Sequence, residues 1–218
     1  MVINLLELFN KTVKDYPHKA AVIDGDKEVS FSELSRNVNI IASHINEQVK
    51  GKNLPVAVFL PKSAEAVASD LGISKSANAF MNLDVKTPAQ RIGNILELIK
   101  PSAVISDSKN IKLINDVIGS IPVILLDELD WSKSVDDEML THLADSQIDT
   151  DPFCIINTSG STGTPKGVAL CHLNFLDFLY RSLEAFSFTD NEIIGSLSPI
   201  VFDIYVFELC LMMANAAT

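Results

Sequence analysis

The spacing of apolar residues predicts a helix, a hairpin and a second helix in the first quarter of the chain. Apolar side chains at positions 2, 5, 6, 8 and 9 fall near helical spacing. Residues 20–23 and 28–31 flank an Asp-Gly-Asp turn, a pattern typical of a β-hairpin. Ser32, with Ser35 nearby, is predicted to cap a helix that continues to about residue 48.

The central part alternates short apolar runs with helical segments. The predicted strands are 56–60, 79–83, 104–106 and 123–126, and the predicted helices are 63–76, 88–99 and 111–118. Alternation with short links predicts a doubly wound α/β architecture in which most strands are parallel. Residues 127–151 are rich in acidic side chains and show little periodicity, so we predict a surface connection with one short helix.

Composition narrows the class of protein. A chain of 218 residues with 47% hydrophobic residues can bury a substantial core, which excludes a disordered chain. Its formal net charge of −11 argues against binding nucleic acid or an anionic membrane surface. Three cysteines without C-x-x-C spacing argue against a disulfide framework or a zinc site. No signal peptide or membrane span is evident, so we expect a cytoplasmic protein.

A Gly/Ser/Thr-rich loop carries the candidate chemistry. The apolar run 152–157, a predicted buried strand, leads into Thr-Ser-Gly-Ser-Thr-Gly-Thr-Pro-Lys-Gly at 158–167, and a helical segment is predicted next. Glycines allow the backbone to approach an anion closely and to direct its N–H groups at it. Hydroxyl groups add donors, and Lys166 adds a positive charge. The pattern therefore predicts a phosphate-binding loop.

The loop does not fit the two commonest nucleotide-binding motifs. A P-loop needs Gly before its Lys and Ser or Thr after it, and this chain has Pro165 and Gly167 there. The dinucleotide-binding pattern G-x-G-x-x-G is also absent from this loop. A Ser/Thr-rich turn that binds no ligand is the remaining alternative.

Four segments of the chain resemble motifs of one superfamily. The loop TSGSTGTPKG resembles the phosphate-binding signature of adenylate-forming enzymes, which include nonribosomal peptide synthetase adenylation domains, D-alanine–carrier protein ligases, acyl-CoA synthetases and luciferases. Three others resemble amino-acid adenylation domains and occur in the same order. They are VSFSEL at 29–34, similar to (L)TYxEL; residues 75–92, similar to KAGxAYVPLDxxxPxxRI; and FDIYVFE at 202–208, similar to FDxSVxE except that Tyr205 replaces the usual Ser.

This resemblance implies a fold and an activity. The expected fold is α/β with alternating strand–helix layers (αβαβα type), the truncated N-terminal core of an acetyl-CoA synthetase-like fold, over residues 1–218. The implied activity is ATP-dependent activation of an amino acid as an aminoacyl-adenylate, for transfer to the phosphopantetheine thiol of a carrier protein. Later family motifs, including the magnesium-binding one, are not found. We therefore expect an incomplete domain, inactive alone, whose Mg²⁺ ligand lies beyond residue 218.

The resemblance also assigns roles to residues. The residues implied to bind ATP and pyrophosphate are Thr158, Ser159, Gly160, Ser161, Thr162, Gly163 and Lys166. Lys166 would also be catalytic, because it would stabilise the leaving pyrophosphate. Asp203 would pair with the α-ammonium of the substrate, while Ile204 and Phe207 would face its side chain. The apolar neighbours of Asp203 favour a buried ammonium site. The alternative is that Asp203 only caps the helix that follows.

Other interpretations remain open. An acyl- or aryl-CoA synthetase would share the loop, but it has no reason to keep a carboxylate at Asp203. A non-catalytic remnant or interaction module would keep the fold without the chemistry. His172, close to the loop, is interpreted as the start of a helix without catalytic work. Two pocket residues do not identify the amino acid.

Overall fold

The computed structural model describes residues 2–159 and 165–218, without the side chains of Ser159 and Pro165. The strands are β1 Ala20–Asp24, β2 Lys27–Ser30, β3 Pro55–Val58, β4 Ala79–Asn82, β5 Ala103–Ser106, β6 Val123–Leu125, β7 Pro152–Ser159 and β8 Pro165–Cys171. The α-helices are α1 Leu5–Asp15, α2 Phe31–Gln48, α3 Ala64–Lys75, α4 Ala89–Ile99, α5 Asn115–Ile118, α6 Asp137–Asp145, α7 His172–Ala185 and α8 Asp203–Asn215.

A six-stranded sheet in the order β6-β5-β3-β4-β7-β8 forms the centre of the described chain. Its strands pair in parallel except at the edge, where β7 and β8 are antiparallel. The short strands β1 and β2 form a separate antiparallel hairpin, as predicted. The expected α/β class is confirmed, because parallel strands alternate with crossover helices.

Helices cover both faces of the sheet. Val56 and Val58 of β3 belong to one core cluster, which draws on α1, α2, α3, α7 and α8. The intervening Ala57 belongs to a second cluster, built with α4 and the segment around α5. Neighbouring residues of a strand point to opposite faces, so a strand buried on both sides is apolar throughout. This is why short continuous apolar runs located the parallel strands correctly.

The start of α2 differs from the prediction. Ser30, not Ser32, is its N-cap: the Ser30 hydroxyl accepts the Glu33 N–H at 3.3 Å, and the Glu33 carboxylate accepts the Ser30 N–H at 2.9 Å. The Ser30 N–H and the Ser30 hydroxyl both donate to the Glu33 carboxylate, and these two bonds lower the pKa of the Glu33 carboxyl. A capping box needs Glu or Gln three residues after the cap. Ser30 meets this requirement, whereas Ser32 is followed at that spacing by Ser35.

The predicted helix at 111–118 is divided. A 3-10 segment, Ile111–Ile114, precedes the short helix α5, which ends before Gly119 at a positive φ of 62°. A second 3-10 segment lies at Leu126–Glu128. The acidic connection contains one helix, α6, as predicted, and its Leu140 is fully buried.

The packing of α2 on α3 requires a glycine. A Cβ added to Gly72 would lie 2.8 Å from Ile41 Cγ2 and 3.3 Å from the Val38 carbonyl oxygen. We expect Gly72→Ala to destabilise the chain by about 1–2 kcal/mol, because overpacking outweighs the gain in helix propensity. Urea unfolding monitored by circular dichroism measures the change. Gly195→Ala, where an added Cβ meets nothing within 4 Å, is the control. An equally stable Gly72→Ala variant would contradict this close contact.

Candidate functional site

The predicted phosphate loop connects two antiparallel strands. β7 pairs with β8 in a register that places Thr158 opposite Lys166 and Asn157 opposite Gly167. The prediction that a helix follows the loop directly is wrong, since β8 intervenes and α7 begins only at His172. Residues 168–171 are apolar enough to pair with β7 before the helix starts. A helix N-terminus therefore does not follow the loop, and loop groups must supply the donors for any anion.

Two of the predicted loop residues lie where the strands of this hairpin enter the loop. Thr158 and Lys166 are exposed, and the Thr158 hydroxyl donates to the Lys166 carbonyl oxygen at 3.5 Å. The two ends of the loop are thus adjacent. The predicted ligands Gly160, Ser161, Thr162 and Gly163 lie outside the described residues, as does the side chain of Ser159.

Gly167 has a packing role that the sequence did not indicate. A Cβ built on it would lie 2.5 Å from Ile99 Cδ1 and 3.1 Å from Ile155 Cγ2. The last residue of α4 therefore rests directly on β8. A side chain at 167 would require the end of the Ile99 side chain to move, so this close contact gives Gly167 a packing reason independent of any ligand.

The three predicted substrate residues line one cavity. Asp203, Ile204 and Phe207, from the first turns of α8, face a cavity of about 280 Å³. Residues from β8 and α7 complete its lining: Leu170, Asn174, Phe175 and Phe178. The Phe178 and Phe207 rings meet edge to face, with centroids 4.8 Å apart. The cavity is therefore a largely apolar space with one carboxylate at its side. Leu170 of β8 is part of its lining, so the cavity adjoins the hairpin.

Asp203 is more exposed than its apolar neighbours in sequence suggested. The prediction of a buried carboxylate is wrong for this chain, since Phe202 and Ile204 are 52% and 58% exposed and Asp203 is exposed as well. Its carboxylate accepts the Ile204 N–H at 2.9 Å. The N-cap position belongs to Phe202, which makes no side-chain cap, so Asp203 lies one position inside the helix. A carboxylate in the first turn is stabilised by the helix dipole.

His172 joins three parts of the core. Its Nδ1 accepts the Leu5 N–H at 3.2 Å, so Nε2 carries the ring proton and donates to Gln147 Oε1 at 3.1 Å. The amide of Gln147 donates in turn to the Ser74 carbonyl oxygen at 3.1 Å. Burial lowers the pKa of His172 to about 4, which keeps the imidazole neutral. These contacts give His172 a structural role at the start of α7.

A buried polar cluster beside α8 escaped the sequence analysis. Asp70, fully buried on α3, accepts the Tyr205 hydroxyl at 2.7 Å and the Asn82 amide at 3.0 Å, both on Oδ2. Burial raises the pKa of Asp70 to about 7. The available signal was the departure at Tyr205, joined by a second one: Asn82 stands where the resembling motif has Pro.

Among residues 2–159 and 165–218, no group of three or more His, Cys, Asp or Glu side chains is arranged to hold a metal ion. Within the same part of the chain, every helix is too short or too polar to cross a membrane.

Comparison with known proteins gives one family and consistent relatives. Residues 9–218 match the family described as AMP-binding enzyme. The dimodular nonribosomal peptide synthase of Bacillus subtilis (strain 168) is 32% identical over 99% of this chain, which spans 9% of that protein.

Solved structures share the fold. A crystal structure of the nonribosomal peptide synthetase FmoA3 superposes with a TM-score of 0.88 at 24% identity, covering 99% of this chain and 22% of that one. Holo-AB3403, a four-domain nonribosomal peptide synthetase bound to AMP and glycine, gives a TM-score of 0.83 at 21% identity, covering 98% and 15%. At these identities the likeness establishes the architecture.

Neutral His172 makes stability depend on pH. The unfolded chain takes up this proton near the ordinary pKa of 6.5 and the folded chain only near 4. Keeping His172 neutral therefore stabilises the folded chain fully above about pH 6.5. This stabilisation is lost as pH falls towards 4, a change on the order of 3 kcal/mol in the free energy of unfolding. We expect His172→Asn to be less stable at neutral pH and to lose less stability on acidification.

Urea unfolding at pH 7 and pH 4.5 tests this expectation. Asp70 titrates in the opposite direction, so the informative quantity is the difference between variant and unsubstituted chain at each pH. His18→Asn, at an exposed histidine, is the matched control. Parallel pH profiles for the His172→Asn variant and the unsubstituted chain would show that His172 is not held neutral.

Proposed function

We propose, since this chain belongs to the AMP-binding enzyme family, that it forms the N-terminal part of an adenylation domain that activates an amino acid with ATP. In this reaction a carboxylate oxygen of the amino acid attacks the α-phosphorus of ATP and pyrophosphate leaves. The single observation that carries the proposal is the cavity in which the carboxylate of Asp203 lies beside Ile204 and Phe207. This arrangement offers a partner for an α-ammonium next to an apolar surface for a side chain.

The hairpin loop is proposed to hold the phosphates. Its proposed ligands are Thr158, Ser159, Gly160, Ser161, Thr162, Gly163 and Lys166. Lys166 and Thr158 support this assignment, because both are exposed at the two ends of the loop and can reach an anion. A chain with a net charge of −11 attracts no phosphate through its overall field, so positioned donors and Lys166 must act locally. Mg²⁺ would neutralise further phosphate charge.

The cavity is proposed to select the acid. The Asp203 carboxylate would accept hydrogen bonds from the α-ammonium, while Ile204, Phe207 and Phe178 favour an apolar side chain. Carboxylate–ammonium hydrogen bonds are among the stronger polar contacts in proteins. The activated acyl group would then pass to the phosphopantetheine thiol of a carrier protein. This step belongs to a longer protein, as the relatives described above are.

Amino-acid-dependent ATP–pyrophosphate exchange tests the proposal. The assay uses the longest open reading frame that contains this chain, the 218-residue chain itself, and a panel of common amino acids with D-alanine. We expect the longer protein to exchange with one amino acid and Asp203→Asn to lower its kcat/KM about 100-fold. Asp177→Asn, at an exposed carboxylate on α7, is the control and should change little.

The outcomes separate the competing functions. Exchange that depends on a fatty or aromatic acid without an amino group would favour an acyl- or aryl-CoA synthetase. Absence of exchange with every acid would favour a non-catalytic role. Exchange that survives Asp203→Asn unchanged would remove Asp203 from the amino-acid site while leaving the reaction in place.

Lys166 is expected to act on the chemical step. Because its charge would neutralise the leaving pyrophosphate, Lys166→Gln should lower kcat about 100-fold and leave the KM for the amino acid nearly unchanged. Steady-state exchange with each substrate varied separately measures both constants. Lys14→Gln, at an exposed lysine of α1, is the control. A variant that changed only the amino-acid KM would contradict a role at the phosphates.

A further inference from the structure

Hydrophobic patterning does not determine how α8 is oriented about its own axis, that is, which of its residues face the cavity. Apolar side chains surround this helix: Ile204 and Phe207 lie towards the cavity, and Val206 and Leu209 towards the core. A helix that is apolar all round has no single face that burial would select. Its first turn also lacks a side-chain cap. Burial alone therefore does not specify which residues face the cavity.

A directed hydrogen bond supplies this specification. Tyr205 is the first buried residue of α8, and its hydroxyl donates to Oδ2 of fully buried Asp70 at 2.7 Å. The Asn82 amide donates to the same oxygen at 3.0 Å and holds the Asp70 carboxylate against β4. Positions two apart on a helix are separated by about 200° around its axis. Fixing Tyr205 inward therefore turns Asp203 outward, towards the cavity.

Lys62 adds a second restraint on the same turn. Its ammonium lies 5.9 Å from the centre of the Tyr205 ring. It donates to the carbonyl oxygens of Ser196 at 2.6 Å and Ser198 at 2.5 Å, in the irregular segment that leads into α8. The entry to the helix is thus tied to the link between β3 and α3, beside the buried bond of Tyr205.

The cluster is a property of this chain rather than of the motifs it resembles. A serine at 205, with its hydroxyl one carbon from the backbone, could not reach Asp70, and a proline at 82 could not donate. The two residues that depart from the motifs, Tyr205 and Asn82, therefore donate to the same carboxylate oxygen of Asp70. Among the described residues, Asp70 Oδ1 and Asn82 Oδ1 have no hydrogen-bond partner, so the bonds to Oδ2 are the polar contacts that hold the cluster.

We propose that Tyr205, through its hydrogen bond to Asp70 and the support of Asn82, is a positioning residue that orients the first turn of α8 and so sets the position of Asp203 in the amino-acid cavity. This inference rests on the proposed function. Tyr205 does not line the 280 Å³ cavity, and its effect would pass through the helix. Its loss should therefore weaken amino-acid use and leave ATP use unchanged.

Tyr205→Phe tests this role, because it keeps the ring and removes only the hydroxyl. In pyrophosphate exchange with the longest open reading frame containing the chain, we expect the KM for the amino acid to rise about tenfold. The KM for ATP should stay within about twofold of the unsubstituted value. The matched control is Thr12→Val, which deletes the buried bond from the Thr12 hydroxyl to the Met213 carbonyl, 2.7 Å, at the opposite end of α8.

A double variant separates orientation from stability. Tyr205→Phe combined with Asp70→Asn replaces the under-bonded buried carboxylate by a neutral amide, so the melting temperature should recover at least partly. The raised amino-acid KM should persist, because the bond that orients α8 is still absent. Recovery of the KM together with the melting temperature would overturn the proposal, as would an equal KM change in Thr12→Val.

The remaining outcomes are also decisive. If the unsubstituted protein exchanges with an amino acid and Tyr205→Phe leaves that KM unchanged, the positioning role is wrong while the adenylation function stands. If the unsubstituted protein exchanges with no amino acid, both fall together. If Tyr205→Phe does not fold, the double variant provides the same comparison of amino-acid KM against ATP KM.

Discussion

The aromatic packing around Phe153 is the interaction on which the arrangement of this molecule depends. Phe153 is fully buried on β7, where its ring packs against Phe80 of β4 at 5.1 Å and Phe175 of α7 at 5.7 Å between centroids. His172, which starts α7, lies at 5.0 Å from the same ring. The parallel strands, the antiparallel hairpin and the helix that forms one wall of the cavity therefore meet at one side chain. Aromatic contacts of this kind combine large buried area with preferred edge-to-face geometry.

The sequence predicted the parallel part of the sheet well because burial on both faces leaves a direct trace. The strands β3, β4, β5 and β6 are short apolar runs. Polar or proline residues flank the crossover helices α3 and α4: Ser63 and Ser76 for α3, and Pro88 and Lys100 for α4. The second strand of the hairpin, β8, left no comparable trace. Residues 168–171 are too few to distinguish a strand from the start of the helix that follows. Composition located the loop, but it did not predict that the loop joins two antiparallel strands.

Contacts between distant residues explain what sequence reasoning missed at the site. The motif at 202–208 brought Asp203, Ile204 and Phe207 into consideration together, and all three line one cavity. The bond between Asp70 and Tyr205 joins residues 135 positions apart, and no local periodicity reports such a pair. In the sequence, Asp70 is a polar residue among mostly small and apolar residues of α3 and carries no motif. Only the fold shows that it faces the tyrosine that departs from the motif.

The contacts of α1 bear on how the chain is made. The Leu5 N–H bonds to His172, 167 positions later, and the Thr12 hydroxyl bonds to the Met213 carbonyl, 201 positions later. The contacts of α1 with α7 and α8 therefore form only after the long stretch of chain between them has been synthesised. High contact order of this kind slows folding and prolongs the exposure of apolar surface. During synthesis, α1 therefore lacks its partners on α7 and α8 until residues 172–213 have emerged.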